Sequence, residues 1–122
     1  MTDWRLKGKD IIIPAMELLR RFAPFAVSVL FTPVALGLGI MSAGAGHSNY
    51  FLAKILFPYT MLSTVSYDAI TISFIFIAVV QYPIYGLILS SFRQLKTALI
   101  VLAIAHAFFA VLAVLYVGPN FS

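Results

Sequence analysis

The chain has 122 residues, 62% of them hydrophobic and 10% charged, with a formal net charge of +4 and no cysteine. A soluble domain is about 25% charged, so this composition excludes an ordinary water-soluble globule, and the length leaves no room for a separate soluble catalytic domain. Without cysteine there is no disulfide, thiolate metal site or cysteine nucleophile.

The expected fold class is all-α: an integral membrane helical bundle forming one domain over residues 1–122, with an amphipathic N-terminal helix and three or four transmembrane helices. Residues 1–21 carry five of the eight basic residues, Arg5, Lys7, Lys9, Arg20 and Arg21. Basic segments beside a span mark the cytoplasmic side and attract anionic lipid head groups at roughly 1 kcal/mol per residue. These five are expected to contact lipid head groups, with the N-terminus in the cytoplasm. Nucleic acid is not an expected partner, because the charges are few and lie against a membrane anchor. Asp10 can cap a helix running to about Phe22. On that helix Ile11, Ala15, Leu18 and Phe22 share a face, and Glu17 lies opposite, spaced to pair with Arg20 or Arg21. Such a segment suits the membrane interface, and Pro14 is tolerated there if it falls near the first turn.

Residues 22–41 form the first long apolar stretch. At about 20 residues it exceeds the apolar core of a signal peptide, so it reads as a retained span. Pro33 is expected to kink it, with Thr32 or Ser28 answering the freed carbonyl. Residues 42–49 are small and polar and read as a loop. Residues 50–67, at the lower length limit for a span, are interrupted by Lys54 and Pro58. Residues 69–91 form a further apolar helix, broken in character at Gln81-Tyr82-Pro83. After a turn carrying Arg93 and Lys96, residues 97–117 form the last, which Gly118-Pro119 ends.

Two rules disagree on topology. With three crossings, seven basic residues lie inside and one, Lys54, outside; with four, the division is five to three. The charge rule therefore favours three. Hydrophobicity favours four, because a re-entrant segment must be shielded by protein. Four crossings are the expectation taken forward.

Few residues can carry chemistry. His106 falls near the midpoint of the last helix, where a titratable group is costly and faces the bundle interior. It has two readings: a proton-relay, ion-path or tetrapyrrole-ligand residue, or a neutral hydrogen-bonding contact between helices. Ala103, Ala107, Ala110 and Ala113 surround it with small residues suited to close packing. Counting 12 residues back from Arg93 and 10 forward from Lys96 reaches Gln81 and His106. At about 1.5 Å per residue the two lie at similar depth in antiparallel helices. A buried polar cluster of Gln81, Tyr82 and His106 is therefore expected. Asp68 reads as a cap for the next helix, or with His106 as an ion- or proton-coupling group. His47, in a surface loop, is too far from His106 in depth to share a metal, and two histidines without carboxylates make a thin ligand set. No metal and no cofactor are expected.

No phosphate loop, nucleophile elbow or zinc-protease motif is present in the sequence, and no catalytic residue is assigned. The expected function is non-enzymatic: a small membrane protein, by default in a bacterial inner membrane, that packs as a subunit of a complex or as a homo-oligomer. The alternative is a small oligomeric transporter or proton channel lined by Asp68, Gln81 and His106. The two differ in whether those groups face a hydrated cavity or protein.

Overall fold

Backbone amides inside lipid have no water to bond, so a chain of this composition satisfies them within helices. In the computed structural model, which describes residues 4–44, 50–67 and 70–117 (side chains of 4–11 and 43 excepted), 92% is helix, with no strand among the described residues. The elements are α1 (Trp4–Gly44), α2 (Phe51–Leu56), α3 (Pro58–Tyr67), α4 (Ile72–Ser91) and α5 (Leu95–Tyr116). Three of them are long and apolar enough to cross a membrane: α1 over Ile12–Ser42, α4 and α5. Most of their large apolar side chains are exposed, Leu30 at 73% and Ile72 at 85%, as they would be with lipid as solvent.

The N-terminal segment departs from expectation. It does not form a separate helix but continues into the first span as one 41-residue run, about 61 Å long against a hydrocarbon layer of about 30 Å. Asp10 lies inside this run rather than at its start, and Pro14 is interior too. Glu17 does pair with Arg20, at 3.9 Å and well exposed, a contact worth little on its own. Near Pro33 the Thr32 hydroxyl donates to the Ser28 carbonyl at 2.8 Å, and the Ser28 hydroxyl donates to Phe25 at 2.7 Å. The hydroxyls thus serve the turn around Pro33, though Thr32 bonds Ser28 rather than the Val29 carbonyl that the proline deprives of a donor.

Residues 50–67 depart further. They are not one continuous helix but two short helices joined at Phe57, whose backbone (φ −129°, ψ 57°) leaves the helical region. This segment, the least apolar of the candidate spans, supplies much of the interior: Ala53, Lys54, Phe57, Pro58, Met61 and Thr64 are buried. It packs against α1, α4 and α5. Ala53 on one arm and Met61 on the other join Ala113 and Val117, at the end of α5, in one apolar cluster. Phe57 at the break packs instead with Ala35 and Ala78. The chain therefore dips toward mid-bundle and returns to the end from which it came.

Helices α1 and α4 approach closely at Gly86. A Cβ on Gly86 would lie 2.7 Å from Phe25 Cα and 2.8 Å from the Pro24 carbonyl oxygen. Both are backbone atoms, so no rotamer change relieves the clash. Gly37, also in a helix, has open space around it. Gly86→Ala should therefore destabilise the protein by about 1–3 kcal/mol through overpacking. Gly37→Ala should be neutral or stabilising by up to about 1 kcal/mol from helix propensity. Unfolding in mixed detergent micelles measures both; equal effects would contradict the close α1–α4 contact.

Candidate functional site

A helix that ends inside a protein leaves its last carbonyls without intrahelical partners. At the break, Phe57 N–H still reaches Ala53 and Met61 N–H takes up Phe57, while Pro58 has no N–H to give. The end of α2 thus presents bare carbonyls at Ile55 and Leu56, facing α4 and α5. Side chains from those two helices meet them. Gln81 Nε2 donates to Leu56 O at 3.0 Å, and the Tyr82 hydroxyl donates to the same oxygen at 2.8 Å. A carbonyl has two lone pairs and can accept both. His106 Nε2 lies 2.8 Å from Ile55 O.

The acceptor fixes the histidine's tautomer. A carbonyl only accepts, so Nε2 carries a proton. In the neutral ring Nδ1 is then an acceptor, and the Tyr85 hydroxyl lies 3.1 Å from it. The Tyr59 hydroxyl is 3.0 Å from that of Tyr85. Tyr59, Tyr85 and His106 thus form a continuous hydrogen-bonded chain. The same logic orients Gln81: its amide nitrogen must face Leu56 O, which leaves Oε1 buried without a partner among the described residues.

Aromatic packing holds the group in place. Tyr82 meets Phe31 of α1 edge-on at 5.1 Å and Phe57 at 5.6 Å. Tyr59 packs on Phe109 at 4.9 Å. The Thr60 hydroxyl adds a bond from α3 to Phe74 O of α4 at 3.2 Å. Of the alanines around His106, Ala110 and Ala113 are buried, whereas Ala103 and Ala107 are exposed.

Gln81, Tyr82 and His106 thus converge on one place, but through two backbone carbonyls rather than through one another. Tyr59 and Tyr85 belong to the same network. Tyr85 sits one turn from Gln81, a spacing visible in sequence, whereas nothing in sequence singles out Tyr59. Asp68 and His47 lie outside the described residues, as do the side chains of Arg5, Lys7 and Lys9. The N-cap of α4 is Thr71, without a side-chain cap bond. Arg20 and Arg21 are exposed. Lys54 is only 6% exposed. Among the described residues no group of three His, Cys, Asp or Glu could hold a metal ion.

Because Gln81 and Tyr82 share one acceptor, their removal should be non-additive. Gln81→Leu and Tyr82→Phe each lose a membrane-buried hydrogen bond worth about 0.6 kcal/mol on average. The double variant leaves Leu56 O without either donor and should cost a further 1–3 kcal/mol or so. A double-mutant cycle on unfolding in micelles reads this directly; simple additivity would contradict the shared-carbonyl geometry.

Comparison of the chain with family models, curated proteins and solved structures finds no match.

Proposed function

We propose that this chain is a non-enzymatic integral membrane protein that acts by packing, as a subunit of a membrane complex or as a homo-oligomer. The observation that carries this reading is where the mid-bundle polar groups spend their hydrogen bonds. A transport pathway needs its polar side chains free to meet a hydrated passage. Here the Gln81 amide nitrogen and the Tyr82 hydroxyl are committed to Leu56 O, and His106 to Ile55 O and Tyr85.

The same geometry supports three crossings by α1, α4 and α5, with α2–α3 re-entrant from the side opposite the N-terminus. A broken backbone at membrane depth is tolerated only where protein covers it, and this one is covered on three sides. Arg20, Arg21 and Arg93 then gather at one end of the bundle, lining one cleft, as the charge rule asks of a cytoplasmic face. A bacterial inner membrane with the N-terminus in the cytoplasm fits this arrangement.

One observation favours a second reading, proton conduction: the continuous chain of Tyr59, Tyr85 and His106.

Two measurements decide between them. Purification in mild detergent should recover the chain with stoichiometric companions or as a discrete oligomer. Proteoliposomes of the native protein should show no proton flux above empty vesicles. A lone monomer, together with a flux abolished by His106→Ala, would overturn packing in favour of conduction.

A further inference from the structure

The end of the bundle opposite the re-entrant segment carries a second polar site that is independent of the packing role. A cleft of about 660 Å3 lies between the N-terminal half of α1 and the α4–α5 turn, lined by Glu17, Arg20, Arg21, Ser90 and Arg93. The three arginines and one glutamate leave it a net charge of +2. Glu17 already pairs with Arg20, so Arg21 and Arg93 are the cations left to act on a ligand. Ser90 is an independent pointer. It is 8% exposed, it lines the cleft, and its hydroxyl has no hydrogen-bond partner among the described residues. A buried hydroxyl without a partner is costly, and a phosphate oxygen would satisfy it.

The cleft does not stand alone. An adjoining groove of about 400 Å3 shares Phe92 and Arg93 with it and runs along α5 past Ala98, Val101 and Leu102, with a nearly wholly apolar lining. Arg93 stands where the two meet. A polar, cationic pocket opening into an apolar groove along a span has the shape of a phospholipid: phosphate above, acyl chain below. A free anion would use only the first.

We propose that Arg21, Arg93 and Ser90 bind the phosphate of an anionic phospholipid whose acyl chain lies in the groove beside Val101 and Leu102. This is a defined site, distinct from the diffuse attraction of a basic segment for a charged surface. Guanidinium groups suit it because they present a planar fork of donors to phosphate oxygens.

The test uses the full chain, stripped of endogenous lipid in a neutral detergent. It is titrated with phosphatidylglycerol, with phosphatidylcholine and with inorganic phosphate, and bound species are read by native mass spectrometry. Phosphatidylglycerol should bind roughly tenfold more tightly than phosphatidylcholine, on the scale of one or two basic residues at an anionic surface. Arg21→Gln with Arg93→Gln should erase that preference, and Ser90→Ala should weaken it. Lys96→Gln removes an exposed charge that lines neither the cleft nor the groove and should leave it intact. All variants should keep the native helical circular dichroism. Absence of any preference in the native chain would overturn the site. So would an equal loss in the Lys96 variant, which would mark diffuse electrostatics. Displacement of the lipid by inorganic phosphate would overturn a lipid as the occupant.

Discussion

On the membrane reading proposed above, lipid solvates the side chains of this protein but cannot solvate its backbone. A helix broken at membrane depth therefore leaves carbonyls that only protein can satisfy, and the rest of the fold is arranged around one such break. The carbonyls of Ile55 and Leu56 each find donors on a neighbouring long helix. Those bonds tie α2 to α4 and α5 at mid-depth, where association in lipid cannot draw on the hydrophobic effect. Van der Waals packing adds the rest, through Phe57 against Ala35 and Ala78, and through the close passage of α1 over Gly86.

This reverses the usual association of apolar with interior. The most apolar helices, α4 and α5, turn long side chains outward and small or polar ones inward: Ala78, Gln81, Gly86 and Ser90 on α4, and Ala98, Ala110 and Ala113 on α5 are their buried residues. The mixed segment 50–67 sits within. Its threonines donate to local or neighbouring carbonyls, as Thr64 does to Met61 and Thr60 to Phe74. The polarity that makes this segment a poor span makes it a serviceable core for a bundle surrounded by lipid.

Much of this was legible in the sequence because it depends on counting. Helices rise by a fixed amount per residue, so the distances from the Arg93–Lys96 turn place Gln81 and His106 at one depth. Pro58 marks an interruption but not the path of the chain beyond it. The contacts these residues make were not legible. The partners of Gln81, Tyr82 and His106 are main-chain oxygens, which every residue carries, so no side-chain pattern announces Ile55 or Leu56. The role of Gly86 depends on which helix crosses it, a tertiary fact. The Asp10 cap and the amphipathic face led to a separate N-terminal helix, and hydropathy gave residues 50–67 as one helix, because neither signal reports how a segment is continued or covered by the rest of the chain. Nor did either register that residues 4–22 continue the axis of the helix behind them.

The re-entrant path of residues 50–67 is tested most directly by sidedness, and the absence of native cysteine makes single-cysteine labelling clean. Lys7→Cys, Ser66→Cys and Gln94→Cys, each in oriented membrane vesicles, are exposed to an impermeant maleimide. The dipping segment requires Lys7→Cys and Gln94→Cys to react from one side and Ser66→Cys from the other. If Ser66→Cys reacts from the same side as Lys7→Cys, and Gln94→Cys from the opposite one, the segment crosses the membrane and the account is contradicted.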